Sequence, residues 1–368
     1  MQCPSSTLRL GLNHAYLKVV IQPSDPSVEQ CLTSLGFRPI ASVPQLWQRE
    51  ILSGQMVAAL RQLSHLVTEA GQQSSRGMIT ALSPESPQFF SEFLNAKSLS
   101  DLTRLVRHSW FLSLLSQQRL FFHYQPIFRL GSGQVVAYEC LARGMMDDGQ
   151  ELSGQQLIDA AKATQLTHEF DYLAREVCLQ SLALLLQGSA HLQQQQFFIN
   201  AVPNAIAANP AILEQHLQQV MDLGIQPQQI VFELTEIEAV RTENQVAQAI
   251  QRIRDWGCQL AIDDLGSDVA LNHYCLEFHP DILKLDRAMV DGCSRHPVKQ
   301  VLLKSMVQAA HDMGIQILAE GIEHREDLQF CKAIDVDLAQ GFALARPSIL
   351  LPQDPSRGVE TRLADWAW

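Results

Sequence analysis

The sequence predicts an α/β chain: a modified TIM-like (β/α)8 barrel preceded by a small α/β or mostly helical domain. Three observations carry that expectation. Apolar runs each end in one chemically competent side chain, helix-like stretches separate them, and the 368 residues exceed the roughly 250 that one barrel needs. In order, Val135-Val136-Ala137-Tyr138 ends in Glu139, Phe197-Phe198-Ile199 in Asn200, and Ile230-Val231-Phe232 in Glu233. Leu260-Ala261-Ile262 then runs into Asp263-Asp264-Leu265-Gly266, Ile282-Leu283 into Lys284, and Ile315-Gln316-Ile317-Leu318-Ala319 into Glu320. Near-continuous apolar runs read as strands buried on both faces, as in a parallel sheet covered by helices. Between them lie Glu243 to Trp256, with Ile250 and Ile253 at helical spacing, and Val298 to Met313. Strand and helix in alternation, with polar groups at the carboxyl ends of the strands, is the pattern of a barrel whose active site sits on that face.

The expected organisation is an N-terminal domain over residues 1–100, a connecting helix over 101–120, the barrel over 121–350 and a tail over 351–368. In the front part, Leu17-Lys18-Val19-Val20-Ile21 reads as a strand and Ser27 to Leu35 as a short helix ending at Gly36. Leu46 to Thr68 reads as one or two helices. Gln72 to Pro87, rich in Gln, Ser, Gly and Pro, reads as a loop or linker. Apolar residues from Leu102 through Leu115 recur at helical spacing and suggest a helix leading into the barrel. Gln193 to Gln196 reads as a polar loop. No motif in the front part names a ligand, which leaves a regulatory role and a packing or dimerisation role equally open.

The formal net charge is -12, yet the first 105 residues hold eight Lys and Arg against seven Asp and Glu. The acidity therefore belongs to the barrel. No basic patch rises above the background, which argues against a nucleic acid polymer as partner. Local carboxylates around a divalent cation fit the charge balance better. The eight cysteines form no CxxC pair or zinc-like spacing, and they read as small buried hydrophobes in a reducing compartment. Met1-Gln2-Cys3-Pro4 does not open a signal peptide, and the longest apolar runs are too short to span a bilayer. The expectation is a cytoplasmic protein with no membrane partner.

The adjacent pair Asp263-Asp264 stands where a buried strand gives way to a glycine turn. Two negative charges are costly there, and a cation is the natural reason that they are tolerated. Taken singly, a strand-end Glu or Asp is more often a helix cap or surface ion pair. Lys284 alone is a solvated charge, and Arg143 alone a partner for a neighbouring acid such as Asp147. It is the ordered set that points to a site. His123, His273, His279 and His311 read as packing or surface histidines.

The residues that carry a resemblance are Tyr124-Gln125-Pro126-Ile127, Glu139-Cys140-Leu141-Ala142-Arg143, Asn200, Glu233-Leu234-Thr235-Glu236, Asp263-Asp264-Leu265-Gly266, Lys284-Leu285-Asp286, Ala319-Glu320-Gly321-Ile322-Glu323 and Gln340-Gly341-Phe342. In order and spacing this set resembles the EAL-domain family of cyclic di-GMP phosphodiesterases, over about two-thirds of the chain. The resemblance implies a modified barrel that hydrolyses one phosphodiester of cyclic di-GMP to linear pGpG with Mg2+ or Mn2+, and a homodimer formed through the barrel. Two cations a few Å apart suit that chemistry. Hard ions want oxygen ligands, which Glu139, Asn200, Glu233 and Asp263 supply, with Asp263 bridging and Asp264, or Asp264 with Glu320, completing the second site directly or through water. The resemblance places Lys284 near the attacking water, with Glu320 a candidate base; the two roles stay unseparated at this point. Arg143 suits a fork of donors to a substrate phosphate. Gln125, Leu141, Glu323 and Gln340 are implied to line the dinucleotide site, and Glu236 to anchor the loop after Asp264. An extended strand would place Asp286 on the face of Lys284, and it is grouped with the substrate contacts.

Two departures from the family pattern bear on activity. The signature triplet is Glu-Cys-Leu where Glu-Ala-Leu is usual, which puts a thiol near the metals as a route to oxidation or soft-metal inhibition. Ser267-Asp268-Val269-Ala270 replaces a more glycine-rich loop, with Asp268 where a positive φ is expected. The alternative to an enzyme is a receptor that binds cyclic di-GMP without turning it over and signals through its front domain or a partner.

Overall fold

The computed structural model describes residues 16–52, 55–187, 189–235, 243–263 and 278–349. Asp264, Glu236, the loop 267–270 and the tail 351–368 lie outside them. The chain divides into two compact units, one built from the residues up to Ser113 with Lys162–Gln165, the other from Leu114–Ala161 and Leu166 onward.

The first unit is a five-stranded antiparallel sheet in the order β2-β3-β1-β4-β5, comprising β1 (Tyr16–Gln22), β2 (Arg38–Ile40), β3 (Val43–Leu52), β4 (Arg76–Thr80) and β5 (Lys97–Ser98). Helix Pro26–Ser34 follows β1 as expected. Asp25 caps it by accepting from the Ser27 and Val28 amides, and Gly36 ends the turn at φ 79°. The segment read as one or two helices is a strand and a helix: Leu46 belongs to β3, and Met56–Leu66 is helical. Only Leu46 and Ile51 are buried along β3, so the strand has no alternating signature; pairing along β1, Tyr16 opposite Leu52 to Ile21 opposite Trp47, determines it. Likewise Gln72 to Pro87 is not a linker. It contains the end of helix Glu69–Ser74, capped by Thr68, and the buried strand β4, whose Gly77-Met78-Ile79-Thr80 pairs with β1. The helix expected from Leu102 to Leu115 breaks at His108 into Leu99–Arg107 and Ser109–Ser116, and Leu102 and Val106 pack in the first unit's own core.

The second unit is an eight-stranded closed barrel. Its strands are β6 (Leu120–Arg129), β7 (Val135–Met145), β9 (Gln196–Ala201), β10 (Ile230–Leu234), β11 (Gln259–Ile262), β12 (Ile282–Leu285), β13 (Gln316–Ala319) and β14 (Leu338–Ala339), with a short β8 (Glu151–Leu152) appended to the end of β7. Strands β7 and β9 to β14 run parallel; β6 is antiparallel to both β7 and β14 and closes the ring. The reversal follows from the short connection between Arg129 and Val135, with Gly133 at φ 70°, because a parallel crossover needs a dozen or more residues. The helices read from periodicity appear as Glu243–Asp255 and Pro297–Asp312. The expected polar loop at Gln193 is the end of a short 3-10 helix, Ala190–Gln194, and Gln196 already belongs to β9.

Alternation across the pleat sorts each strand into two faces. Ile127, Ala137, Phe198, Val231, Ala261, Ile282, Leu318 and Leu338 form an apolar layer inside the barrel. Phe197, Ile199, Phe232, Leu260, Ile262, Leu283 and Ile317 face outward and pack in the larger core beneath the helices. Cys140, Cys178, Cys258, Cys293 and Cys331 are buried free thiols. Among the described residues no helix is long and apolar enough to cross a membrane.

Candidate active site

Above the apolar layer lies a polar one, because the next residue on the same face of each strand is polar. Ala137 is followed two residues on by Glu139, Phe198 by Asn200, Val231 by Glu233, Ala261 by Asp263, Ile282 by Lys284, Leu318 by Glu320 and Leu338 by Gln340. In the reversed strand β6 the order inverts, and Gln125 precedes Ile127. Gln125 pairs with Glu139, and Asn200 with Glu233. Where the strands formally end, the ladder continues: the amide of Asp263 donates to Leu234 (3.0 Å), that of Glu320 to Leu285 (3.1 Å) and that of Gln340 to Ala319 (2.9 Å).

Lys284 is the centre of this layer. Its Nζ lies 2.5 Å from Glu233 Oε1, 2.6 Å from Glu320 Oε1, 3.0 Å from Asp263 Oδ1 and 3.7 Å from Glu139 Oε1. The lysine and Glu233 are both fully enclosed. Burial opposes the ammonium charge, but the surrounding carboxylates outweigh it and hold the Lys284 pKa well above its ordinary value. Burial raises the Glu233 carboxyl well above the usual range, with Asp263, Glu139 and Glu320 adding to the rise and Lys284 opposing it. Glu320 is pushed up to about 8, first by burial and then by Asp263 and Glu139, against the pull of Lys284.

Among the described residues one ammonium faces four carboxylates, so the layer carries more negative charge than it neutralises when all four are ionised. Two carboxylate oxygens show the imbalance directly. Among the described residues Glu233 Oε2 and Asp263 Oδ1 are buried without a hydrogen-bond partner, the latter 3.0 Å from Nζ. Among the described residues no three His, Cys, Asp or Glu side chains are gathered as an ion cage of their own; the acids converge on Lys284 instead. The donor set nevertheless fits a hard cation, since it is all oxygen and unpartnered buried oxygens are what such an ion would satisfy.

A cavity of about 210 Å3 opens over the layer and is lined by Gln125, Glu139, Asp263, Lys284, Glu320, Glu323 and Gln340, all named from sequence, together with Arg287, Gly321, Gly341 and Phe342. Gln340 Nε2 donates to Glu139 Oε2 at 2.6 Å, and Gln125 Nε2 donates to the Ala345 carbonyl at 3.1 Å. The amide of Gln340 therefore orients a carboxylate of the site. Sequence reasoning missed Arg287, whose guanidinium lies 3.0 Å from Glu323; its adjacency to Lys284-Leu285-Asp286 was the available signal. The strands bring backbone very close here. A Cβ on Gly341 would sit 2.1 Å from the Ile322 carbonyl oxygen, and Gly321 adopts φ 64°.

Other residues named from sequence lie elsewhere. Asn200, half-buried at the end of β9, does not line the cavity. Asp286 has left the strand direction; its carboxylate caps the short helix Arg287–Val290 by accepting the Ala288 amide, so it does not share the face of Lys284. Leu141 and Arg143 continue the face of Glu139 along β7 but stand outside the cavity lining. Arg143 Nε pairs with Glu151 Oε1 at 3.4 Å, and its Nη1 donates to the Ala142 carbonyl at 2.8 Å. The acid that holds it is thus Glu151, while Asp147 pairs with Arg119 at 2.5 Å. The thiol of the Glu-Cys-Leu triplet is turned away from the carboxylates. Cys140 is buried in the outer core and hydrogen-bonds with Cys178, and burial and that contact hold its pKa well above the ordinary thiol value. A buried protonated thiol is unreactive, so the exposure to oxidation expected from sequence is absent.

A profile of the EAL domain matches residues 108–347. Cyclic di-GMP phosphodiesterase PdeB of Shewanella oneidensis is 30% identical over 254 residues, 69% of this chain and 29% of that protein. The chain spans less than half the length of the first curated relatives that it matches. Among solved structures, the Xanthomonas citri FimX EAL domain in complex with c-di-GMP superposes with a TM-score of 0.62 at 18% identity, covering 69% of this chain and 99% of that one. A standalone EAL protein from Vibrio cholerae O395, in its c-di-GMP-bound form, gives 0.55 at 27% identity over 62% of this chain and 92% of that one. With the barrel, its reversed first strand and the polar layer at the strand ends already in place, these matches show that the chain belongs to the EAL domain family.

Proposed function

We propose that this protein hydrolyses cyclic di-GMP to linear pGpG in a metal-dependent reaction, acting in the cytoplasm as a homodimer formed through the barrel. The observation that carries the reading is Lys284, a buried ammonium within 3.0 Å of three carboxylates at the floor of an open cavity. The phosphodiesterase relative and the c-di-GMP-bound neighbours support the choice of substrate.

Mg2+ or Mn2+, two ions held by Glu139, Asn200, Glu233 and Asp263 with Asp264 at the second, would neutralise phosphoryl charge and acidify a bound water. The chain's own side chains do the rest. Lys284, within 3.0 Å of Glu233, Glu320 and Asp263, donates hydrogen bonds, orienting the attacking water and stabilising charge that develops on the phosphoryl oxygens. Glu320, which lines the cavity 2.6 Å from Lys284 Nζ, is placed to take the proton of that water. Gln340 holds Glu139 in place through its amide. Gln125, Leu141, Arg143 and Glu323 contact the dinucleotide, with Arg287 added to them. Asp286 serves indirectly, by starting the short helix that carries Arg287.

The test is a turnover assay on the full chain with cyclic di-GMP and either MgCl2 or MnCl2, following pGpG by chromatography. Product with either metal supports the enzyme. Tight binding without product under both would instead establish a receptor.

A further inference from the structure

Arg143, the residue read as a fork for a substrate phosphate, is already engaged. Strand β7 turns back through Gly149, at φ 84°, into the two-residue strand β8, where Glu151 pairs with Met145 and Leu152 with Gly144. Met145 and Arg143 are two residues apart on one face, so the return strand sets Glu151 diagonally beside Arg143. Its Oε1 lies 3.4 Å from Arg143 Nε and 3.5 Å from His123 Nε2, the histidine reaching in from the neighbouring strand β6. With Nη1 taken by the Ala142 carbonyl, two edges of the guanidinium are spoken for and none of it lines the cavity.

A carboxylate on an arginine uses the donors that a phosphate would use. We infer that Glu151 is a lock on Arg143, a built-in anion that occupies the guanidinium until a phosphate of the ligand displaces it, and so sets how tightly an anionic ligand is held. The lock is able to yield. The Glu151 side chain is 43% exposed against 17% for Arg143, so the acid swings into water while the arginine stays anchored by its stem. Exposed ion pairs contribute only about 0.2 to 1 kcal/mol, which converts to a release effect of up to about five-fold in affinity. The inference rests on the reading of Arg143 as a phosphate contact of cyclic di-GMP.

The experiment measures Kd for cyclic di-GMP in EDTA, and KM and kcat with MnCl2, for the full-length wild type, Glu151→Gln, Arg143→Gln and the double variant. Glu151→Gln keeps the size of the side chain and removes its charge; thermal melts verify that each variant folds. The expected result is a Kd and KM lower by about two- to five-fold in Glu151→Gln with kcat unchanged, and no effect of the same substitution when Arg143 is already Gln. Unchanged or weaker binding in Glu151→Gln overturns the lock, as does an effect that persists without Arg143. Arg143→Gln with the affinity of the wild type removes the phosphate contact, and the lock with it, while leaving the substrate standing. A wild type that neither binds nor turns over cyclic di-GMP overturns the functional reading as well.

Discussion

Lys284 Nζ and Glu233 Oε1 lie 2.5 Å apart inside the barrel, and neither side chain reaches solvent. The pair sits directly above Ile282 and Val231 of the apolar layer, so the low-dielectric core of the barrel forms the floor of the polar site. The contact strengthens with that enclosure, and so does the penalty for leaving either partner alone.

Removing the ammonium strands Glu233, Asp263, Glu320 and Glu139 against one another. Lys284→Met should therefore destabilise the fold by about 3 to 5 kcal/mol in EDTA, the range for breaking a buried pair. Turnover should fall by at least about 100-fold. Because the remaining acids then lack their ammonium counter-charge, MnCl2 should raise the melting temperature of the variant more than that of the wild type. Paired thermal melts check this, and equal shifts in both proteins would count against it.

Asp263→Asn keeps the shape of the side chain while taking away one negative charge beside Lys284. Turnover of cyclic di-GMP should be lost, whereas stability in EDTA should be unchanged or higher, since like-charge repulsion among the acids is relieved. A variant that unfolds would show that the carboxylate is structural.

His216 offers a pH-dependent test away from the site. It is buried at the end of a network in which Arg175 Nε donates to its Nδ1 at 3.3 Å and Arg175 Nη1 lies 2.6 Å from Asp171. Burial, and then the Arg175 charge, lower its pKa from 6.5 to about 3. A depressed histidine is neutral when folded but protonates when unfolded, so its share of stability is intact above pH 6.5 and drains away as pH falls toward 3. Between pH 7 and pH 5 the loss should be about 2 kcal/mol. Urea denaturation of the wild type and His216→Leu at both values should show the difference between them shrinking at the lower pH by that amount.

Gly341 crosses Ile322 so closely that an added Cβ would meet backbone, 2.1 Å from its carbonyl oxygen and 2.3 Å from its nitrogen. Backbone cannot rotate away as a side chain can. Gly341→Ala should cost about 3 kcal/mol or more, at or above the upper end for overpacking, and should distort Gln340 and with it the hold on Glu139. Gly131→Ala, where an added Cβ would meet nothing within 4 Å beyond its chain neighbours among the described residues, is the control and should melt with the wild type.

The barrel was legible because its signals are local. A strand buried on both faces must be apolar nearly throughout, and the polar residue that ends the run shares a face with the one two before it, so Ala261 to Asp263 and Ile282 to Lys284 announce both the strand and the direction of its site. The front unit was less legible for the opposite reason. Strand β3 buries only Leu46 and Ile51, and its polar remainder becomes a strand by pairing with β1, a partner that no window of sequence contains.

The sequence by itself determined the alternation of strand and helix, the order of the chemically competent side chains and the end of the barrel on which they gather, because each follows from a period of two or of 3.6 along the chain. Tertiary structure alone decided what each charge meets. It closed four carboxylates from four strands on Lys284, turned Asp286 out of the strand to cap a helix, pointed Cys140 into the outer core, and gave Arg143 to Glu151 where the sequence suggested a phosphate or Asp147. Those outcomes depend on distances across the barrel and around a return strand, and electrostatic contact is set by such distances, which residue order leaves undetermined.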